Sequence, residues 1–195
     1  MRRDTIFPGS YHHIYNRGNN KQEIFFDERD WIRFLFLILH FQSPRIFSNL
    51  PRFIGTFKRK GHFDIDASIL QKIISDRFVE LVGFALMQNH FHLIVLEREE
   101  GGVSRYMQRI LTSYSKYCNK KNGKVGHVFQ GPYRATSVSS DEQLLYLSAY
   151  LHRNPVELST WREDPEHFPW SSYQDYLGDN RWCNLLSPSI IMNQF

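Results

Sequence analysis

The sequence predicts an α+β fold in which helices pack on an antiparallel sheet. Strand-like and helix-like hydrophobic patterns alternate along the chain and give the predicted order β, α, β, β, α, β, α. The second and third strands are separated by only Gln88 and Asn89, which is the spacing of a tight antiparallel hairpin. This order of elements is typical of a ferredoxin-like arrangement.

Residues 10–42 predict the first strand and the first helix. The stretch SYHHIYNRGNN alternates bulky residues and ends in a Gly/Asn turn, so it predicts a strand followed by a loop, with Arg17 at the strand's end. Asp27 is a favoured N-cap, and acidic residues follow it in the first turn of a helix predicted over about 27–42. The apolar face of this helix, at spacings of three and four, comprises Trp31, Phe34, Leu35, Ile38 and Leu39.

The middle of the chain combines a poorly patterned region with a clear hairpin. Residues 43–78 mix Pro, Gly and charge, and only SILQKII has a helical pattern, so we interpret them as a variable connection. Its basic residues could contact a ligand; they are Arg52, Lys58, Arg59 and Lys60. The stretches VELVGFALM and HFHLIVLE then predict the two strands of the hairpin.

The second half predicts two helices around one strand. A long helix is expected over about 103–120, followed by GKVGHVFQGPYRATSVSS as a loop and a strand. The next helix extends to residue 153, with Ser140 or Asp141 as its N-cap and Pro155 beyond its end. The aromatic stretch HFPWSSYQDYLG predicts one short helix packed on the body, and residues 180–195 form a tail.

Length and composition fit one domain spanning residues 1–195. A chain with 42% apolar residues can form a substantial core, and its two cysteines match neither a zinc-binding spacing nor a disulfide framework. The N-terminal MRRDTIFPGS lacks the apolar segment of a signal peptide, and FLFLIL is too short to cross a bilayer, so a soluble cytoplasmic protein is expected. The net charge of +4 carries meaning only if the basic residues cluster.

Two histidines open the third predicted strand. Residues two apart in a strand point to the same face, so His90 and His92 present their rings together while Phe91 faces the other way. This geometry suits two ligands of one divalent cation, whose other positions water, a substrate phosphate or another protein oxygen would fill. The alternative is a hydrogen-bonded histidine pair at a strand edge.

Helical spacing separates surface tyrosines from core tyrosines. On the helix over 103–120, Tyr114 and Tyr117 share the apolar arc and are expected in the core. On the last long helix, leucines form the apolar stripe, whereas Tyr146, Tyr150 and Asn154 repeat at four-residue spacing on another face. Tyr150 is therefore either a surface tyrosine lying on the sheet or a reactive phenol.

Four blocks of sequence together resemble a known family. They are YHHIYNRGNN with FFDERDW, then ALMQNHFHLIVL, then GHVFQGPYRA, and finally YLSAYLHRNPVE with FPWSSYQDYLG. In this order they resemble the IS200-like single-tyrosine transposases of the HUH class, and among these the REP-associated tyrosine transposases most of all. The region 43–78 and the last fifteen or so residues lie outside the resemblance.

The resemblance implies metal-dependent cleavage and rejoining of single-stranded DNA during transposition. Tyr150 matches the nucleophile that forms a 5′-phosphotyrosine, and His90 and His92 match the ligands of Mg²⁺ or Mn²⁺. Insertion-sequence members commonly carry glutamine as a third ligand where this chain has Asn154, so ligation by Asn154 is an open point, and capping of the helix end is the alternative. The family also binds DNA hairpins, works as a monomer or a homodimer, and implies a nucleoid-associated protein.

Basic and aromatic residues predict the DNA contacts. A stripe on the helix over 103–120, continued beyond it, favours neutralisation of DNA phosphates, with a solvated helix face as the alternative; it comprises Arg105, Arg109, Lys116, Lys120 and Lys121. Residues in the family-like blocks could line the DNA path, with Tyr133 stacking on a base; they are His12, Arg17, Gln130, Tyr133 and Arg134. The alternative functions are a domesticated hairpin-binding protein that no longer cuts DNA, a zinc hydrolase and an RNA-binding sheet.

Overall fold

The computed structural model describes residues 7–194 and has one four-stranded antiparallel sheet at its centre. The strands lie in the order β2-β3-β1-β4. Their bounds are Tyr11–Arg17 for β1, Val79–Met87 for β2, His90–Glu97 for β3 and Arg134–Val138 for β4. The order, the hairpin and the intervening helices confirm the predicted ferredoxin-like α+β class. Most of the N-terminal stretch in which a signal peptide was sought lies outside the described residues.

Helices cover both faces of the sheet. They are α1 Glu28–His40, α2 Leu50–Lys60, α3 Ala67–Ser75, α4 Gly102–Asn122, α5 Asp141–Arg153, α6 Tyr173–Leu177 and α7 Ser189–Met192. The predicted caps of two helices are confirmed: Asp27 forms a capping box with Asp30, and the Ser140 hydroxyl accepts a hydrogen bond from the Gln143 N–H. No described helix is both long and apolar enough to span a membrane.

The alternation along β3 divides the interior into two cores. Phe91, Leu93 and Val95 face a large aromatic-rich core beneath α1 and α4. Ile94 and Leu96 face a smaller core formed with the leucines of α5. Because His92 has the parity of Ile94, its ring lies on the α5 face of the sheet. The two-residue period of β3 therefore places His90 and His92 on the same side of the sheet as α5.

The region 43–78 is more regular than the sequence predicted. In addition to α3, which contains the predicted SILQKII, it forms α2, with Pro51 in its first turn, where the missing N–H costs nothing. The helix packs on α1 through aromatic rings from both segments; these are Phe36, Phe47, Phe53 and Phe63. This tertiary packing stabilises a sequence whose local pattern was ambiguous. Lys58 pairs with Glu28 at 2.8 Å, on the α1 side of the molecule.

The segment after α5 closes one edge of the sheet. The Leu86 N–H donates to the Trp170 carbonyl at 2.9 Å, and the next residue forms a bridge with Ala85. Farther along, the Ser187 N–H donates to the Leu81 carbonyl at 2.9 Å. The predicted short helix is α6, and the described part of the 180–195 tail packs along β2.

Candidate active site

Three histidines, from two neighbouring strands, meet on the α5 face of the sheet. The rings of His90 and His92 have centroids 5.1 Å apart and planes inclined by 87°. The third is His13 of β1, whose ring stacks on His92 at 5.0 Å with its Nε2 2.8 Å from His92 Nδ1. His13 was not predicted from the sequence, because only the β1–β3 register, in which Tyr15 pairs with His92, brings it to the site.

The hydrogen bonds of these rings determine which nitrogens can bind a cation. His90 Nδ1 lies 2.6 Å from the Asn89 side-chain oxygen, which can only accept, so Nδ1 carries the proton and Nε2 keeps a lone pair. His92 Nδ1 and His13 Nε2 share one hydrogen bond, so one of the two nitrogens carries the proton. If His92 donates it, the Nε2 of His92 also has a free lone pair, as metal ligation requires.

Burial keeps all three imidazoles neutral. It lowers the pKa of His92 to about 3, an effect that the neighbouring His13 and His90 reinforce, and it lowers the pKa of His13 to about 4. Burial also lowers the pKa of His90. Neutral imidazoles are the form that binds metal ions. The donor set therefore fits a divalent cation held by His90 and His92, with His13 behind the second ligand.

Tyr150 of α5 faces the same cluster. Its ring lies 5.7 Å from the His92 ring and 6.2 Å from the His13 ring, edge-on to both. The side chain is 47% exposed, and its hydroxyl has no hydrogen-bond partner among residues 7–194. One chain thus brings a free phenol beside the imidazole pair, and the phenol is accessible to a ligand.

Asn154 joins the end of α5 to this cluster. Its amide nitrogen donates to the Tyr150 carbonyl at 2.9 Å and the Leu151 carbonyl at 3.3 Å, so it caps the helix as one of the predicted alternatives requires. The neighbouring Asn154 amide also raises the pKa of His90, against the larger effect of burial. The amide oxygen remains the group through which Asn154 could approach a cation.

A cavity of about 580 Å³ opens beside the histidines. Arg17 and Gln130, both predicted DNA contacts, are joined there because the Arg17 Nε donates to the Gln130 side-chain oxygen. Arg134 also lines the cavity. Five further polar or aromatic lining residues were not predicted from the sequence; they are Tyr15, Asn16, Lys21, Asn89 and Glu157. The cavity is therefore rich in cationic and hydrogen-bonding groups, which suit a polyanion.

Gly18 fixes the end of β1. Gly18 follows Arg17, its N–H donates to the Asn89 carbonyl at 2.8 Å, and a Cβ at this position would collide with the Gln22 carbonyl oxygen. The close approach fixes the strand end against the β2–β3 turn. The Arg17 side chain consequently starts from a rigid point at the cavity's edge.

The predicted basic stripe on α4 lies across the sheet from the histidines, and most of it is engaged within the chain. Arg105 pairs with Glu99 at 2.7 Å, and the Arg109 guanidinium donates to carbonyls of the loop after α1, including Phe41 at 3.3 Å. Lys121 bonds the fully buried Asp30 at 2.6 Å. Within this stripe, only the exposed Lys116 and Lys120 make neither an ion pair nor a hydrogen bond among the residues described.

Two residues predicted to line the DNA path are placed elsewhere. His12 is fully buried on the α1 face and bonds the Ser10 hydroxyl at 2.6 Å, so the expectation for His12 is wrong, and its neighbour His13 takes the place at the site. Tyr133 packs against the aromatic core, with its hydroxyl 3.3 Å from that of Ser104 on α4. It does not line the cavity, whereas Tyr15 does.

Comparisons with known proteins agree on family and fold. The sequence profile of a family described as "Transposase IS200 like" matches residues 57–154. A solved structure of a REP-associated tyrosine transposase bound to a REP hairpin superposes with a TM-score of 0.60. The two chains are 14% identical, and the match covers 91% of this chain and 84% of that one. No curated protein matches the sequence.

Proposed function

Because the chain belongs to the IS200-like transposase family, we propose that it cuts and rejoins single-stranded DNA through a covalent bond between Tyr150 and a 5′ phosphate. The observation that carries this proposal is the free Tyr150 phenol, whose ring lies 5.7 Å from His92 in a cluster of neutral histidines. Tyrosine, paired imidazoles and a basic cavity are the parts that a phosphoryl transfer needs.

The covalent step exchanges one phosphodiester for another. The Tyr150 oxygen attacks the phosphorus, the bond to the 3′ oxygen of the preceding nucleotide breaks, and that oxygen leaves as a 3′ hydroxyl. The phenol's proton passes to solvent, and the 3′ oxygen takes one up, so charge balances. The phosphotyrosine keeps the energy of the original bond, so a 3′ hydroxyl from another DNA end can reverse the step. Strand transfer, rather than hydrolysis, is the expected outcome.

His90 and His92 would hold one Mg²⁺ or Mn²⁺ through their Nε2 atoms. When bound, this ion supplies Lewis-acid polarisation of the phosphate and favours the phenolate of tyrosine, since a phenol in water has a pKa of about 10. Asn89 and His13 would hold the two rings in the tautomer that ligation needs. Asn154 is the proposed third ligand, through its amide oxygen, because its nitrogen is occupied by the helix end.

The cavity residues are proposed to hold the DNA strand at the site. Arg17 and Arg134 supply positive charge, and Gln130 fixes the Arg17 guanidinium through its side-chain oxygen. Lys116 and Lys120 are the members of the α4 stripe available for a more distant phosphate contact. The solved relative is bound to a REP hairpin, and we propose that this chain likewise recognises a DNA hairpin near its cleavage site.

An adduct assay tests the proposal. The protein would be incubated with single strands from the DNA flanking its own gene, with Mn²⁺ or with EDTA, and run on a denaturing gel. We expect a shifted protein–DNA band that needs Mn²⁺ and disappears in Tyr150→Phe, while hairpin binding persists. Tyr173→Phe, which removes a hydroxyl outside the site, is the control. A full adduct in Tyr150→Phe would refute the assignment, and tight binding without any adduct would leave a hairpin-binding protein that does not cut.

A further inference from the structure

A second cavity lies on the outer side of α5, next to Tyr150. Its volume is about 300 Å³, and its wall combines an aromatic ring, a cation and small apolar groups from Tyr146, Ala149, Arg153 and Val156. Tyr150, Asn154 and Glu157 complete the wall. The covalent step described above uses none of the first four residues, so this part of the cavity needs a separate explanation.

Tyr146 presents an aromatic surface that the fold does not use. Its side chain is 75% exposed, and its ring contacts no other aromatic ring among residues 7–194. The apolar contacts of α5 with the sheet are made instead by Leu144, Leu147 and Leu151. Four residues separate Tyr146 from Tyr150, so the two rings lie on neighbouring turns of one helix face.

Arg153 places a positive charge on the same face of α5 as Tyr146 and Tyr150. At 100° per residue it is displaced by only about 20° from Tyr146 around the helix, and Tyr150 lies between the two along the axis. Arg153 is exposed and forms no ion pair or hydrogen bond within the described part of the chain. An aromatic plane and a free guanidinium, spaced along one face, match a base and a phosphate of a single strand.

The two cavities share Glu157. Tyr150 lines the 300 Å³ cavity, and its ring lies 5.7 Å from that of His92, which lines the 580 Å³ cavity. A strand attacked by Tyr150 must therefore leave the site in two directions. In an in-line displacement the departing 3′ oxygen lies opposite the tyrosine oxygen, whereas the nucleotide that becomes joined to the tyrosine stays with it.

We infer that the cavity on α5 binds the nucleotide on the 3′ side of the cleaved phosphate, with its base stacked on Tyr146 and its next phosphate contacted by Arg153. This inference rests on the proposed function, since it assumes that Tyr150 attacks the strand. Stacking uses the face of the ring, which every base has, so the subsite tolerates all four bases and holds the covalent product in place.

An abasic scan tests the subsite through binding alone. One abasic nucleotide is moved along a bound single strand, and the Kd is measured by fluorescence anisotropy on the Tyr150→Phe background, which does not cut. We expect one position at which losing the base weakens binding about tenfold. At that position the loss should vanish when Tyr146→Ala is added and should persist with Tyr146→Phe. Ile46→Ala, at another exposed apolar residue, is the control.

The result is then compared with the cleavage site of the unmodified protein. Support requires the sensitive position to be the nucleotide directly 3′ of the cut, and Arg153→Gln to weaken binding there without changing its dependence on the base. Absence of any position whose loss depends on Tyr146 would overturn the inference even if the adduct forms. If no adduct forms but a Tyr146-dependent position exists, the cavity on α5 binds a base, whereas the proposed cleavage fails and with it the assignment of that base to the 3′ side of a cut.

Discussion

His13 Nε2 lies 2.8 Å from His92 Nδ1, which links the first strand of the sheet to the strand that carries the histidine pair. His92 is buried and His13 is half-buried, and the Tyr15 ring lies against the His13 ring at 4.8 Å with the planes inclined by 30°. An imidazole that accepts this hydrogen bond fixes its neighbour as the Nδ1–H tautomer. We therefore propose that His13 positions His92, on the side away from the proposed cation.

Replacement of His13 should weaken metal binding without removing a ligand. We expect His13→Phe to raise the Kd for Mn²⁺ about 10- to 100-fold, because His92 loses the partner that fixes its tautomer. His13→Gln should recover part of the affinity, since its amide oxygen can accept the same proton. Free Mn²⁺ can be followed by electron paramagnetic resonance. An unchanged Kd in His13→Phe, with His127→Gln as the surface control, would contradict the positioning role.

The site should be complete within one chain. Tyr150 reaches the histidines of its own chain, with its ring 5.7 Å from that of His92. A mixture of Tyr150→Phe and His90→Ala proteins should therefore form no adduct, since neither chain has both parts. Adduct formation by the mixture would show that tyrosine and histidines are shared between two subunits. Chromatographic mass measurement of the mixture would show in either case whether a dimer is present.

Lys121 and Arg17, both predicted to contact DNA, should respond differently to substitution. Lys121→Met leaves the buried Asp30 without its charged partner, so we expect a loss of roughly 3 kcal/mol in unfolding free energy, measured by urea denaturation, with an unchanged salt dependence of binding. Arg17→Ala should leave stability nearly unchanged and reduce the slope of log Kd against log salt by about 0.7, as expected for one lost single-strand phosphate contact. A salt slope reduced by Lys121→Met would assign Lys121 to the DNA path.

Acid should destabilise the fold through buried histidines. Burial lowers the pKa of His152 to about 3 and that of His40 to about 4. Below the unfolded-state pKa of about 6.5 the unfolded chain binds protons that the folded chain does not, so stability is complete above pH 6.5 and falls as the pH drops toward 4. Each residue should contribute about 1.4 kcal/mol of loss between pH 7.5 and 5.5.

Urea denaturation at pH 7.5 and 5.5 measures this loss. His152→Gln should shrink the difference between the two pH values by about 1 kcal/mol, whatever its effect on stability at pH 7.5. The variant lacks the hydrogen bond between His152 Nε2 and the Ser172 hydroxyl, so an overall loss of stability is expected as well. His62→Gln, at an exposed histidine, should leave the difference unchanged. An undiminished difference in His152→Gln would exclude this histidine as a source of acid sensitivity.

The sequence alone predicted the fold class, most of the elements and the family. The period of two along HFHLIVLE places His90 and His92 on one face whatever the rest of the chain does, because side chains alternate in any strand. The spacing of α5 likewise separates Tyr150 from the leucine stripe, as its 47% exposure confirms. The structure confirms the predicted fold class, and the family match confirms the resemblance.

Only the tertiary structure decided which residues surround His90 and His92. His13 and Tyr15 reach the site only through the register in which Tyr15 pairs with His92, and a shift by one residue would have brought His12 instead. The helix over 50–60 depends on aromatic contacts with α1 that local pattern does not encode. The sequence could not distinguish the role of Lys121 from that of Arg17. A basic residue that neutralises a buried carboxylate looks the same in a sequence as one that faces solvent.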